Sequence, residues 1–143
     1  MPEPFTRLKL PAQVQSVRIF HEFVRDGAAG LGLDASDLFK LDLVLEEILV
    51  NIARYAYDGG VGEVEVGYSA QGDTLQVEVS DQGRKYNPLE AAPAPDLTLG
   101  LADRPIGGLG VLLVKQIVSS LTYRHNDGRN TLSFRFPGHS TDS

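Results

Sequence analysis

The sequence of 143 residues contains no cysteine, and its three histidines, His21, His125 and His139, are scattered. The lack of cysteine excludes a disulfide framework and any thiolate metal site, and the histidines show no spacing typical of a metal hydrolase. No apolar run approaches the ~20 residues needed to span a bilayer. The segment Met1–Pro4 has neither the basic nor the apolar part of a signal peptide. These absences predict a soluble, cytoplasmic protein with no membrane contact.

Basic residues are also in the minority, since 13 Lys and Arg stand against 19 Asp and Glu, a formal net charge of −6. General nucleic-acid binding relies on clustered cations that neutralise phosphates, so the composition argues against a direct nucleic-acid partner. Proteins or a small molecule are the expected partners. The length predicts one domain over residues 1–143, which is enough to bury a core without further staples.

One long amphipathic helix organises the chain. Asp34 has the character of an N-cap, with Asp37 at the third helical position in a near capping box. The helix is predicted to continue to Tyr57, where Asp58-Gly59-Gly60 ends it. Its apolar residues recur at a spacing of three and four, which indicates one face in the core: Leu38, Leu41, Leu45, Ile48, Leu49, Ile52, Ala53 and Ala56.

Three polar residues of this helix lie on nearly the same side. Glu47 and Asn51 are four residues apart, and at about 100° per residue they project one turn from each other. Arg54 brings a cation to the next turn. A carboxylate, a carboxamide oxygen and a cation in series suit a phosphate site, although in isolation they also fit the solvated flank of any amphipathic helix.

The other regular elements follow from alternation and turn signals. Alternating residues predict strands, with hairpin turns at Gln71-Gly72-Asp73 and Asn126–Arg129. A first helix is predicted from Pro11 to about Ala29, with Gly30–Gly32 as its stop, and a last helix from Leu109 to Leu121. The predicted strands are Phe5–Leu10, Gly62–Ser69, Thr74–Ser80, Thr122–Asn126 and Thr131–Phe136.

Between Arg84 and Gly110 no regular period survives. A loop this long inside a small domain is typical of a lid or binding loop, although a simple linker remains an alternative. The glycines that end it precede a helix, where unpaired backbone N–H groups and the helix dipole favour an anion. The run is not a P-loop, because no Gly-Lys-Ser/Thr follows, nor a dinucleotide fingerprint, because no strand precedes it. The run is Gly107, Gly108, Leu109 and Gly110.

Asp81 follows the second strand of the central hairpin, and Gly83 comes two residues later. A carboxylate here could accept a hydrogen bond from an exocyclic amine, while the glycine would let a flat ring lie against the backbone. An aspartate that merely begins a turn is the alternative.

In this order the motifs resemble those of the Bergerat-type (GHKL) ATP-binding superfamily, and within it the anti-sigma-factor serine/threonine kinases. The resemblance covers roughly residues 5 to 136. Each motif is weak alone, but their combination is specific. The matching segments are Glu47–Asn51 with Tyr55–Tyr57 (N box), Asp81–Gly83 with Tyr86–Pro88 (G1 box), Arg104–Gly110 (G2 box) and Asp127–Asn130 (terminal hairpin).

The resemblance implies a two-layer α/β (α+β) sandwich, with a mixed, mostly antiparallel sheet, helices on one face and an ATP lid at about residues 84–106; residues 137–143 are expected to be a disordered tail. It also implies ATP and Mg²⁺ as cofactors. Asn51 would ligate the metal and Glu47 would be the general base. Asp81 would bind the adenine amino group, with Gly83 against the ring.

The phosphate contacts are implied in the same way. Arg54 occupies a position where related histidine kinases carry a phosphate-contacting lysine, and Arg104 would reach the γ-phosphate from the lid. The backbone of Gly107, Gly108, Leu109 and Gly110 would hold the phosphates.

The implied function is an ATP-dependent serine/threonine kinase and anti-sigma factor that binds a sigma factor and phosphorylates a STAS-type anti-anti-sigma protein. A homodimer is possible. Two alternatives remain: a nucleotide-binding regulatory module without kinase activity, and a histidine-kinase catalytic fragment, for which the residues before Asp34 offer only one of the two helices of an acceptor hairpin. The sequence departs from the family at two places. Arg84–Tyr86 differs beside the lid hinge, and Ser119-Ser120 replaces an acidic pair whose loss affects a partner surface and not ATP binding.

Overall fold

A computed structural model of the chain describes residues 4–57, 62–85 and 114–136. Within these ranges five strands form one sheet in the order β1-β2-β3-β5-β4, and every neighbouring pair is antiparallel. The strands are β1 (Thr6–Pro11), β2 (Glu63–Gln71), β3 (Thr74–Asp81), β4 (Ser119–Asn126) and β5 (Arg129–Phe136), and the two long helices are α1 (Val14–Ala28) and α2 (Ala35–Tyr55).

The core lies between the sheet and the two helices. Strand residues alternate, so that one face of β2, β3 and β5 supplies aliphatic and aromatic side chains, and each helix adds its apolar stripe. Phe20, Leu45, Ile48 and Phe134 have 0% exposed surface. The predicted two-layer α+β sandwich is confirmed. The sheet, expected to be mixed but mostly antiparallel, is antiparallel throughout the described strands.

The start of α2 is as predicted. The Asp34 side chain accepts a hydrogen bond from the backbone N–H of Asp37 at 2.8 Å, which satisfies one of the free N–H groups of the first turn. The helix ends at Tyr55, two residues before the predicted end. Arg54 lies in its last turn, where a cation complements the helix dipole.

The predicted start of the first helix was wrong. Pro11 closes the edge strand β1 instead of opening a helix, and α1 begins at Val14. An edge strand tolerates proline because an N–H facing outward has no ladder partner to lose. The other end of α1 is close to its predicted position, because the helix stops at Ala28 and continues as a 3-10 helix over Ala29–Leu31. Gly32 then adopts a φ of 71°, which ends the helical path.

The last helix was also predicted too long. Residues 114–117 are helical, but β4 begins at Ser119. Ser120 has a φ of 56°, and the pairing register shifts between Ser119 and Thr122. This irregularity lets Leu121 pack against the core from a strand, so its helical spacing from Ile117 was coincidental.

Both predicted hairpins are present. Gly72 has a φ of 67° in the turn between β2 and β3. In the turn between β4 and β5 Asp127 and Gly128 have φ values of 54° and 73°, the two successive positive angles of a type I′ turn. No helix in the described ranges is long and apolar enough to cross a membrane.

Candidate nucleotide and catalytic site

Glu47 and Asn51 meet on α2 as the helical spacing predicts. The Asn51 Nδ2 donates to Glu47 Oε1 at 3.2 Å. A carboxylate only accepts, so the amide nitrogen must face it and the carboxamide oxygen must lie on the opposite side. Asn51 is 1% exposed, while Glu47 is half-buried. The pair therefore offers a fixed carboxylate and a fixed oxygen ligand one turn apart.

The environment of Glu47 makes it a stronger base than an ordinary glutamate. Burial raises the pKa of its carboxyl above the usual value; the hydrogen bond from Asn51 opposes the rise, the neighbouring charge of Glu46 adds to it, and the charge of Arg54 opposes it. A carboxylate with a raised pKa holds an abstracted proton more firmly, which suits a general base.

Arg54 is exposed in the last turn of α2. It lines a groove of about 480 Å³ between α1 and α2, together with Glu47 and, from α1, Val17 and His21. The structure thus brings Arg54 to the same groove as Glu47 and within electrostatic reach of it. Its contact with a phosphate remains a prediction.

Asp81 is the last residue of β3 and is 3% exposed. Its Oδ1 accepts the backbone N–H of Gly83 at 2.9 Å and the Asn130 Nδ2 at 3.0 Å. Burial raises the pKa of the Asp81 carboxyl, and these two hydrogen bonds and the charges of Arg129 and His125 oppose the rise. A buried carboxylate with fixed donors on one oxygen suits recognition of one specific ligand group.

Gly83 packs against the carboxyl end of α2. A Cβ built on Gly83 would lie 2.3 Å from the carbonyl oxygen of Ala56. The next residue adds two hydrogen bonds, from the Arg84 N–H to the Ala56 carbonyl at 3.0 Å and from Arg84 Nε to the Tyr55 carbonyl at 2.8 Å. The missing side chain therefore has a packing reason in this chain, and the contact of Gly83 with a purine ring remains a prediction. Arg84 itself caps the helix that carries Glu47 and Asn51.

This close approach predicts a loss of stability in Gly83→Ala. The added methyl group would meet a backbone carbonyl that cannot rotate away, and overpacking of this kind costs about 1–3 kcal/mol. Denaturant unfolding should show the loss. Gly30→Ala is the matched control, because nothing lies within 4 Å of a Cβ there. Equal stability of the two variants would contradict the packing role of Gly83.

Tyr57, which follows α2, also makes hydrogen bonds next to Asp81 and Gly83. Its hydroxyl donates to the Glu63 carbonyl at 2.6 Å and accepts the Gln82 N–H at 2.9 Å. A Cβ on Gly62 would lie 2.2 Å from the Tyr57 ring, so glycine is needed for the ring to fit. Tyr57 thereby links the start of β2 to the residue that follows β3, next to Asp81.

Part of the predicted site lies outside the described residues. This applies to the proposed lid beyond Lys85, to Arg104, and to the phosphate loop of Gly107, Gly108, Leu109 and Gly110. Their roles remain predictions, as does the disorder expected for residues 137–143.

Sequence reasoning gave no individual role to Asn130 and Tyr123. Asn130 is 2% exposed and bonds Asp81, while the Tyr123 hydroxyl donates to Asn130 Oδ1 at 2.6 Å. Their roles depend on the register of β3 against β5, which pairs Asp81 with Asn130. That register could not be inferred, because the type I′ turn fixes β5 against β4 alone.

Comparison with known proteins agrees with this geometry. Residues 10–136 match the family described as the histidine kinase-like ATPase domain. A serine-protein kinase RsbW from Bacillus mycoides (strain KBAB4) is 26% identical over 141 residues, which are 95% of this chain and 88% of that protein. Its counterpart from Bacillus cereus (strain Q1) is 26% identical over 132 residues, 90% of this chain and 82% of that protein. The resemblance to the GHKL superfamily and its serine-kinase branch is confirmed, and the chain belongs to the histidine kinase-like ATPase domain family.

Proposed function

We propose that this protein is an ATP-dependent serine/threonine protein kinase that acts as an anti-sigma factor in the cytoplasm. Its partners would be a sigma factor and a STAS-type anti-anti-sigma protein, the latter being the phosphorylated substrate. The observation that carries the proposal is the contact between Glu47 and Asn51 on α2. Both relatives named above are serine-protein kinases, which supports serine as the acceptor.

The described residues fit a nucleotide with its metal. Asp81 would accept the adenine amino group, and the raised pKa of this carboxyl reflects the buried setting in which such a bond is strongest. Asn51 would hold Mg²⁺ through its carboxamide oxygen, a hard ligand of the kind that this ion takes in small number. When bound, the metal would neutralise charge on the transferred phosphoryl group. Arg54, Arg104 and the backbone of Gly107, Gly108, Leu109 and Gly110 are the proposed phosphate contacts.

Glu47 would act on the incoming serine. Its carboxylate accepts the hydroxyl proton while the serine oxygen forms a bond to the γ-phosphorus and the bond from that phosphorus to the β,γ-bridging oxygen breaks. ADP leaves with the bridging oxygen, and the partner retains the phosphoryl group. Asn51 holds the carboxylate in one orientation, and Arg54 supplies positive charge in the same groove.

The direct test is phosphoryl transfer from labelled ATP. The purified protein is incubated with candidate STAS-domain proteins, and transfer is measured with each acceptor serine intact and replaced by alanine. Serine-dependent labelling is expected. Tight ATP binding with no transfer to any partner would instead support a regulatory module that uses the nucleotide to set its shape. Size-exclusion chromatography with light scattering would test the homodimer that the family resemblance suggests.

A further inference from the structure

A chain of three hydrogen-bonded side chains runs across the sheet from β4 through β5 to the end of β3. The Tyr123 hydroxyl lies 2.6 Å from Asn130 Oδ1, and the Asn130 Nδ2 lies 3.0 Å from Asp81 Oδ1. The same nitrogen lies 2.7 Å from the Arg84 carbonyl. Asn130 and Asp81 are both buried, so this polar chain replaces contacts that water would otherwise make.

The orientation of the Asn130 amide follows from its neighbours. The Asp81 carboxylate and the Arg84 carbonyl are acceptors, so both must face the NH₂ group, whose two hydrogens they use. The opposite orientation would set a carbonyl oxygen against two other oxygens. The oxygen of Asn130 is then left to accept the Tyr123 hydroxyl hydrogen, and donation runs in one direction, from Tyr123 to Asn130 to Asp81.

This direction has a consequence at Asp81. Oδ1 accepts hydrogen bonds from Asn130 Nδ2 and from the backbone N–H of Gly83, and among the described residues the hydrogen bonds to this carboxylate both end at that oxygen. The two donors fix the rotation of the carboxylate. Oδ2 is then the oxygen presented to a ligand, and as part of a carboxylate it accepts hydrogen bonds and does not donate them.

We propose that Asn130, oriented by Tyr123, is a positioning residue that makes the base site selective for purines with an exocyclic amino group over 6-oxo purines. The inference rests on the proposed function, since it assigns Asp81 to the base of ATP. An amino group donates to Oδ2, whereas a 6-oxo group would set a second acceptor against it. A site built to satisfy one donor rejects the analogue that lacks it, because a buried polar group is left unpaired.

The test compares ATP with inosine triphosphate, which carries a 6-oxo group in place of the amino group. Calorimetric titrations of the wild-type protein should show a clear preference for ATP. In Asn130→Ala the ATP/ITP affinity ratio should fall about tenfold, because the hydrogen bond that orients a charged group is lost. In Tyr123→Phe, which removes a single hydroxyl and should fold even where Asn130→Ala does not, the ratio should fall about threefold.

Tyr68→Phe is the matched control. Tyr68 lies on β2 four residues beyond Val64, which pairs with Asp81, and its ring packs on Phe23. This substitution should leave the ATP/ITP ratio unchanged.

Four outcomes would overturn the inference. An equal loss of affinity for both nucleotides in Asn130→Ala and Tyr123→Phe would show a structural role only. An unchanged ratio in folded variants, or a wild-type protein that binds both nucleotides equally, would remove the positioning role while leaving the proposed kinase intact. A wild-type protein that binds neither nucleotide would overturn the proposed function and this inference together.

Discussion

Glu47→Gln is expected to lower phosphoryl transfer to a serine acceptor by about two to four orders of magnitude, the usual contribution of a well-placed general base. Glutamine keeps the shape and an oxygen that can accept from Asn51 Nδ2, so α2 should fold as before. What it loses is the ability to take a proton. Affinity for ATP should therefore stay within a few-fold of the wild type, and single-turnover transfer measured beside calorimetric binding separates the two effects.

Glu46→Gln is the matched control for this experiment. Glu46 is the preceding residue, is exposed, and lines the same groove, so its substitution changes the local charge equally. The rate of phosphoryl transfer in Glu46→Gln should change only slightly, because the variant loses the effect of the Glu46 charge on the pKa of Glu47. Equal rates in the two variants would show that Glu47 is not the base and would favour the regulatory-module alternative.

Asp81→Asn is expected to weaken ATP binding by about a hundredfold. The asparagine oxygen can still accept from Gly83 and Asn130, which preserves the local network. Its NH₂ group would then replace Oδ2 and set a donor against the donating amino group of adenine. The loss of a charge-assisted hydrogen bond together with a buried unpaired donor accounts for roughly 3 kcal/mol, which corresponds to that factor.

Asp73→Asn makes the same chemical change in the exposed turn between β2 and β3 and should bind ATP as the wild type does. Thermal unfolding of both variants checks that the proteins remain folded. If Asp81→Asn bound ATP as tightly as Asp73→Asn, Asp81 would be a structural carboxylate that holds the end of β3, and the adenine pocket would have to lie elsewhere.

Local chemistry explains which parts of this fold were predictable. The capping of α2 by Asp34, its apolar stripe and the pairing of Glu47 with Asn51 all depend on residues within four positions of each other. The turn at Asp127-Gly128 is equally local, because both residues tolerate a positive φ. Such features follow from helical and turn geometry without knowledge of the rest of the chain.

The errors and omissions involve contacts distant in sequence. The spacing of Leu121 from Ile117 predicts a helix, whereas Leu121 lies in β4 and packs against the core from there. The interpretation of Gly83 through a bound ring, which remains a prediction, omits a second reason for the glycine: the carbonyl of Ala56 occupies the space that a side chain would need. Asn130 was given no role because its contact with Asp81 depends on the order of strands in the sheet. Sheet order and long-range packing leave no local pattern.

The hydrogen bonds of Tyr57 indicate which positions next to Asp81 can be substituted. The pairing of β2 with β3 ends at Val64 and Asp81. Beyond this pair the Tyr57 hydroxyl links the two strands, because it donates to the backbone carbonyl of Glu63 and accepts the backbone N–H of Gln82. The side chains at 63 and 82 take no part in this link. Substitutions at these two positions can therefore change the surface charge beside Asp81 without breaking the link. Position 57, in contrast, must keep its aromatic hydroxyl for β2 and β3 to remain joined there.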